Sequence, residues 1–301
     1  MTTIKFMRYL SVLLLLIVSE IASATDEIRF DNGQLISYAT DLFDQEDFLR
    51  SISVLKIIQY FSHDDSVRKW CNFKIGEAYF KSGDYSRANI YMRSYLKSGN
   101  DRDLVYRSWS YVGAGHLHKR EYQLASDSFK KATELNSEFA LWTAYSDVYA
   151  HGVDEGIGTF RLLGGNAETD NEVIALDMAN ALERGVKRKL NPTTASVLSS
   201  FIPGLGQFYA RHYYDAVQSL VLVGSFGYMS YASYKLGDLG EQSHLLTGIS
   251  CLVTGLFHYA NILGAGKTVE YRNKLILNRT LSDIRLIIEK ESGFSIKFGF
   301  K

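Results

Sequence analysis

Two apolar runs in the last third of the chain constrain the fold more than any other feature. Residues 216–234 form a run of 19 residues and residues 245–266 a run of 22, and neither contains Asp, Glu, Lys or Arg. At 1.5 Å of rise per residue, either run as a helix could cross about 30 Å of hydrocarbon. A polar segment of ten residues separates them. We therefore expect two transmembrane helices joined by a tight turn, and a buried helix pair is the alternative.

The composition of the runs favours the membrane interpretation. Glycine, serine and alanine are frequent in both, and small residues allow close helix contact in lipid. Tyrosine is enriched at membrane interfaces, and several tyrosines lie in or beside the first run: Tyr213, Tyr214, Tyr228, Tyr231 and Tyr234.

A turn signal stands just before the first run. Residues 199–216 read SSFIPGLGQFYARHYYDA, and Pro203, Gly204 and Gly206 would interrupt an ordinary helix. The segment before them is apolar enough for the membrane interface and rather polar for a span. We expect residues 193–210 to run along the membrane surface, and the chain to enter the bilayer after the turn.

Four polar or aromatic side chains belong to this region. Gln207 and Tyr209 are expected to hydrogen-bond backbone groups that the break leaves free, because lipid cannot satisfy them. His258 and Asn261 lie three residues apart on one helix face inside the second run. Polar groups inside a membrane are candidates for function, and an interhelical hydrogen bond is the simpler interpretation.

The turn resembles a signature of small bacterial membrane domains, which carry Pro-Gly-x-Gly-Gln-x-Tyr followed by aromatic residues and a two-helix hairpin. The glycine that many relatives carry after the tyrosine is absent here. The resemblance covers about residues 200–270 and implies a membrane location without implying a reaction. Its motif residues are Pro203, Gly204, Gly206, Gln207 and Tyr209.

The N-terminus has the composition of a secretory signal. Lys5 and Arg8 precede an eleven-residue apolar stretch, and small residues follow at Ala22 and Ala24. The stretch is short for a membrane span. We expect residues 1–24 to be a cleaved signal peptide, with an uncleaved anchor as the alternative; either would export the following region.

Residues 25–150 contain a repeat with a spacing of 37 residues. Within each unit, small or apolar residues recur at helical spacing in two blocks separated by a polar turn, which predicts stacked helical hairpins. The spacing relates Ala39, Gly76 and Gly113, and it also relates Leu55, Met92 and Phe129.

This pattern resembles the tetratricopeptide repeat, most clearly at residues 75–97 and 112–136. Two departures are the spacing of 37 in place of 34 and the missing proline at the end of each unit. The resemblance covers about 120 residues. It implies a short α-solenoid that binds a partner protein in its concave groove, and a spacer that only packs on the membrane domain is the alternative.

Two connecting regions complete the chain. Residues 151–192 are expected to be a joint, with a glycine-rich loop at 152–166 and a helix at 171–189. The basic end of that helix, residues 187–189, could lie near lipid headgroups or could favour a helix C-terminus. Residues 271–301 are expected to hold a helix at 281–291 and a short strand-like tail.

The predicted chain is all-α: a short solenoid followed by a membrane domain at residues 193–270. We expect an exported scaffold or adaptor in a bacterial envelope, in the inner membrane, with its repeats in the periplasm. A transport or assembly component acting through the membrane hairpin is the alternative. Lys plus Arg and Asp plus Glu number 33 each, which gives no sign of a nucleic-acid partner. No spacing indicates an enzyme, a cofactor, a small-molecule substrate or a metal.

Membrane orientation stays open in the sequence. Exported repeats and two spans would leave Arg272, Lys274 and Arg279 outside, against the bias for positive residues inside. A third span at residues 193–210 would remove this conflict.

Overall fold

The computed structural model describes residues 32–236 and 242–296, and these residues are almost entirely helical, with no β-strand among them. They fall into two compact units, residues 32–136 and residues 137–296. The all-α fold class predicted from the sequence is therefore confirmed. The predicted signal peptide, residues 1–24, lies outside the described residues.

The first unit is a row of three helical hairpins. Each consists of two consecutive helices, and each hairpin packs on the next along the chain. The second helix of the hairpins begins at residue 48, 85 and 122 in turn, so the spacing is 37 residues both times. The helices are α1 (Asn32–Asp44), α2 (Phe48–Phe61), α3 (Asp65–Lys81), α4 (Tyr85–Leu96), α5 (Arg102–His118) and α6 (Tyr122–Leu135).

The turns inside the hairpins repeat in atomic detail. Glu46, Gly83 and Arg120 all have positive φ, at 60°, 86° and 63°, and lie 37 residues apart. The next residue is the N-cap of the second helix. In the first two hairpins this residue, Asp47 or Asp84, accepts a hydrogen bond from the backbone N–H three residues later, whereas Glu121 in the third makes no such bond. Such caps satisfy amide groups at the first turn of a helix. The polar turns predicted from the sequence therefore separate the two helices of each hairpin.

A small residue facing a large one holds each hairpin together. A Cβ atom added to Gly76 would lie 3.0 Å from Met92, and one added to Gly113 would lie 3.0 Å from Phe129. Both pairs belong to the sets that the 37-residue spacing relates. The missing side chain lets the two helices approach closely and lets the large side chain fill the groove. The helical repeat arrangement is therefore confirmed.

The second unit contains seven α-helices. A 3-10 turn, Ser137–Phe139, leads into its first helix, α7. The helices are α7 (Ala140–Ala150), α8 (Val153–Gly164), α9 (Asp170–Lys187), α10 (Pro192–Phe201), α11 (Leu205–Tyr209), α12 (Tyr213–Leu236) and α13 (Gln242–Ser292).

The glycine-rich stretch is mostly helix, so the loop predicted at residues 152–166 is wrong. Gly152 and Gly165 flank α8 with positive φ, at 104° and 39°. Gly156 lies inside α8, where an added Cβ would come within 2.2 Å of Val148 on α7. The interior glycine thus serves close packing between helices, a use that composition alone does not distinguish from a loop.

The last helix, α13, is 51 residues long. It joins the predicted second span and the predicted C-terminal helix into one element. The stretch Gly293–Ile296 that follows is irregular, which contradicts the strand pattern there, and the rest of the predicted tail lies outside the described residues.

Helix α13 is long and apolar enough to cross a membrane, and only 11% of its most apolar window is buried. Helix α12 lies antiparallel beside it, with stacked rings of Phe226 and Phe257 and with Ser230 Oγ 3.2 Å from Thr254 Oγ1. Among the described helices, α12 is not apolar enough by mean hydropathy to qualify as a membrane span. Of the two predicted spans, the structure supports only the second, because the Ser and Tyr residues of α12 lower its hydropathy.

The small-to-large packing of the repeats gives a test. Ala88 on α4 is fully buried, so Ala88→Trp should overpack the hairpin and lower the free energy of unfolding by about 1–3 kcal/mol. Ser86→Trp, at an exposed position of the same helix, is the control and should have little effect. Thermal unfolding of the full chain in detergent, followed by circular dichroism, measures both. Equal melting curves for Ala88→Trp and wild type would show the repeat register to be wrong.

Candidate functional site

The strongest candidate site is the contact of α10, α11 and α13, which we call the helix junction and define by Ser199, Gln207, His258 and Asn261. Helix α10 begins with Pro192, a residue well suited to the first helical position. It then runs antiparallel along α13: Ser196 Oγ donates to Ile262 O (3.0 Å), and His258 Nε2 lies 3.1 Å from Ser200 O.

The chain reverses direction between α10 and α11. Gly206 lies beside Ala195 and Ser199 of α10, so the short helix α11 folds back on its predecessor. With ten and five residues, α10 and α11 are too short to cross a bilayer in sequence. The third span considered at residues 193–210 is therefore excluded, and the segment packs lengthwise against α13.

The two glycines of the turn are required for different reasons. Gly204 has a φ of 87°, and a Cβ there would lie 2.2 Å from Ala216 O. Gly206 has ordinary helical geometry, but an added Cβ would lie 2.1 Å from Ala195 O and 2.7 Å from Ala265 Cβ. Gly204 thus permits the left-handed turn, and Gly206 permits three helices to meet. Pro203, half-buried, occupies the turn itself.

A chain of hydrogen bonds runs through the helix junction. The Gly206 backbone N–H donates to Ser199 Oγ (2.9 Å), and Ser199 Oγ donates to Gln207 Oε1 (3.1 Å). Gln207 Nε2 donates to Asn261 Oδ1 (2.7 Å) and to Asn261 O (3.3 Å). Gln207 is 5% exposed and Asn261 8%, so this chain is almost free of solvent.

The geometry changes the roles expected for these residues. The amide freed by the break is satisfied by Ser199, a residue that the sequence analysis missed, and Gln207 instead links α11 to α13. Tyr209 packs against an apolar cluster formed by Ala195, Ala210, Ala265 and Val269. Ser199 stands within the quoted motif stretch, and a hydroxyl one helical turn before a helix break was the available signal.

Two buried atoms of the helix junction have no hydrogen-bond partner within the described chain: Asn261 Nδ2 and His258 Nδ1. The other atoms of both side chains bond to a neighbouring helix. The junction therefore has two unused polar positions. Its existing hydrogen bonds fix the geometry of the three helices.

A second polar cluster lies in the repeat unit, and the sequence analysis missed it. The Glu77 carboxylate on α3 is 4% exposed and receives Lys74 Nζ (2.8 Å), Arg107 Nη2 (2.6 Å) and Tyr111 OH (2.8 Å). Two cations and a hydroxyl compensate one buried carboxylate, as a buried charge requires. The cluster joins the first helices of two successive hairpins, α3 and α5.

Electrostatics in this cluster follow from burial. Burial raises the pKa of Tyr111 far above its usual range, and the Glu77 carboxylate adds to the rise. Burial acts to lower the pKa of Arg107, but Glu77 and Tyr111 outweigh it and the pKa rises. Near neutral pH Tyr111 is therefore a hydrogen-bond donor and Arg107 a cation, and both link α5 to Glu77 on α3.

A groove of about 470 Å³ lies between α9 and α13. Met178, Ala181 and Ile284 give it apolar walls, while charges of both signs, including Arg184 and Asp283, stand around it. Across the described residues, no group of three His, Cys, Asp or Glu side chains is placed to hold a metal ion.

The sequence matches no protein-family model and no curated protein. The geometry of the helix junction and of the repeats is thus the basis for a functional conclusion.

The glycines of the turn provide a matched test. Gly206→Ala should lower the free energy of unfolding by about 2 kcal/mol or more, because the new methyl group would strike backbone oxygen and Ala265. Gly224→Ala, inside α12 with nothing within 4 Å of the added Cβ, should be neutral or stabilise by up to about 1 kcal/mol. Both follow from unfolding curves of the full chain in detergent. A harmless Gly206→Ala would contradict the close contact of α11 with α13.

The hydrogen bond between α11 and α13 is testable by a double-mutant cycle. Gln207→Leu should destabilise the folded chain by about 1–3 kcal/mol, since Asn261 and Ser199 would lose their partner. Combination with Asn261→Leu should cost less than the sum of the two single changes, by about 0.5–1.7 kcal/mol. Gln218→Leu, at an exposed position of α12, is the control. Strict additivity would rule out a direct bond.

Proposed function

We propose that the chain is a membrane-anchored scaffold or adaptor, whose repeat unit binds a partner protein. The observation that carries this proposal is the exposure of α13. A core helix of a soluble protein is mostly buried, whereas 11% of the apolar window of α13 is buried. Its exposed side chains include large aliphatic ones: Leu245, Leu246, Ile249, Leu252 and Leu256. An apolar surface of this extent needs lipid or a partner to cover it.

The membrane domain proposed on this basis has α13 and α12 as an antiparallel pair of spans. Helices α10 and α11 would enter the same apolar layer beside α13, reverse at Gly204, and leave on the side where they entered. Irregular backbone at membrane depth is tolerated where protein covers it. Here Ser199 and Gln207 supply that cover, which supports the proposed re-entrant arrangement.

The repeat unit resembles a tetratricopeptide array, and the proposed partner site is its inner side. The first helices α3 and α5 pack against each other, more closely than the second helices α4 and α6. The first helices therefore line the inner side. Trp70 on α3 and Arg107 on α5, 37 residues apart, are both partly exposed on these first helices. An aromatic and a cationic side chain on a preformed surface are well suited to protein recognition.

The proposed location is a bacterial cell envelope, with residues 1–24 acting as an export signal and the repeats in the periplasm beside the inner membrane. The composition of the N-terminal segment and the exposed apolar helix support it. A role in envelope transport or assembly through the membrane hairpin is a second candidate. The unused polar atoms of His258 and Asn261 favour it, because polar groups inside a membrane mark functional sites.

Photocrosslinking in cells tests the scaffold proposal. A photoreactive amino acid at position 70 should yield, in the membrane fraction, an adduct with one defined second polypeptide. The matched position is Tyr60, which is 82% exposed on α2 and away from the inner side. It should yield no such adduct.

The outcomes separate the parts of the proposal. An adduct from position 60 alone would move the partner site to α2, and no adduct from either position would contradict partner binding by the repeats. Recovery of the chain in the soluble fraction without detergent would contradict the membrane anchor.

A further inference from the structure

The end of the apolar segment of α13 is fixed by the sequence. From Leu245 to Gly266 the helix carries no Asp, Glu, Lys or Arg, and these 22 residues span roughly 33 Å at 1.5 Å per residue. That length matches the roughly 30 Å hydrocarbon layer of a bilayer. Lys267 follows at once and is exposed. If α13 crosses a membrane, the headgroup layer begins at this lysine.

The structure brings a second basic segment to the same level. Asn273 on α13 holds the chain just after α9, accepting from Leu190 N (3.0 Å) and donating to Leu190 O (2.8 Å). Arg272 donates to Arg188 O (3.2 Å). These contacts fix the C-terminal end of α9 beside residues 272–273 of α13. That position is six to seven residues, roughly 10 Å, beyond the last apolar residue.

Five exposed cations therefore form a collar around the end of the apolar segment. None has a carboxylate oxygen within 4.0 Å in the described part of the chain. The exposed acids near these cations are Glu270 on α13 and Asp215 in the first turn of α12, fewer than the five cations, so positive charge predominates. The basic collar consists of Lys187, Arg188, Lys189, Lys267 and Lys274.

A helix C-terminus does not explain this arrangement. Lysine and arginine at the end of α9 would be favoured by its macrodipole, but that effect is confined to the last turn. Lys267 and Lys274 lie in the middle of α13, about 18 residues or more from its end at Ser292. Cations from two helices thus lie within roughly 10 Å along α13 beyond the apolar segment, and the dipole offers no reason for this.

Aromatic residues mark the same level independently. The register of α12 against α13, set by Phe226 with Phe257 and by Ser230 with Thr254, places the start of α12 beside residues 269–271. Tyr213 and Tyr214 at that start are exposed, and so is Tyr271. Tyrosine rings are enriched at the membrane–water interface.

We propose that the basic collar binds the phosphate-bearing headgroups of anionic phospholipids in one leaflet. This inference rests on the proposed membrane anchoring and adds the lipid class and the residues that bind it. Long lysine side chains reach several ångströms along the protein surface, so residues 187 and 189 extend back to the headgroup layer. Each basic residue near an anionic surface increases binding roughly fivefold at moderate ionic strength.

Native mass spectrometry of the full chain tests the proposal. The protein is extracted in detergent and supplied with equal amounts of phosphatidylglycerol and phosphatidylcholine, and the bound lipids are counted. Wild type should retain phosphatidylglycerol preferentially. The variant Lys187→Gln/Lys189→Gln/Lys274→Gln should bind it at least tenfold more weakly, while binding phosphatidylcholine as before.

The matched control is Lys81→Gln/Lys97→Gln/Lys119→Gln, which removes three exposed lysines of the repeat unit and should leave lipid binding unchanged. Circular dichroism melting verifies that both variants fold. Equal retention of the two lipids by wild type, or unchanged preference in the collar variant, would overturn the proposal. Failure of wild type to enter phosphatidylcholine vesicles would instead overturn the membrane anchoring, so the two failures are distinguishable.

Discussion

The second unit depends on a single close contact, the one that Gly206 makes with α10 and α13. No side chain fits there, because backbone oxygen of Ala195 and the methyl group of Ala265 already occupy the space that a Cβ would need. That proximity brings the Gly206 amide to Ser199 and places Gln207 opposite Asn261. The hydrogen-bond chain and the close approach of α11 to α13 follow from this contact, whereas Gly204 permits the reversal and the approach of α12.

Close packing at a glycine also organises the repeat unit, where Gly76 leaves space for the side chain of Met92 and Gly113 for that of Phe129. The difference is in what surrounds the contact. The repeats enclose their large side chains in an apolar core, whereas the helix junction encloses amides and a hydroxyl. Buried polar groups are costly unless they are paired. The helix junction pairs nearly all of its buried polar groups. Its geometry is therefore well defined, because other arrangements of the helices would leave these groups without hydrogen bonds.

The two units also differ in how far the sequence predicts them. The repeat is recognisable in the sequence because its contacts are local: residues 16 apart meet in the second and third hairpins, and the hairpins recur every 37 residues. The all-α class and the apolar segment of α13 follow from periodicity and composition in the same way. The helix junction joins Gln207 to Asn261 across 54 residues, and no periodicity encodes that pairing.

The errors have related causes. Glycine-rich composition predicts a loop at α8, because it does not reveal that a Cβ atom added to Gly156 would lie 2.2 Å from Val148. Glu77 has no motif around it, since its partners Arg107 and Tyr111 come from the next hairpin. The sequence leaves the basic end of α9 with two interpretations, contact with lipid headgroups or stabilisation of a helix C-terminus. The hydrogen bond from Arg272 to Arg188 O brings cations of α13 beside that end, which the sequence does not reveal.

The fold-back of α10 and α11 has a consequence for how the chain is threaded. In the proposed membrane arrangement, α10 and α11 leave by the side on which they entered and add no crossing. If α12 and α13 both cross, the number of crossings is then two, which is even. The end of α9 and the last 26 residues of α13 then share one compartment, which agrees with their direct contact through Asn273 and Leu190. Because the number of crossings between them is even, the two segments lie on the same side of the membrane. A compartment-specific label on either segment therefore reports the location of both.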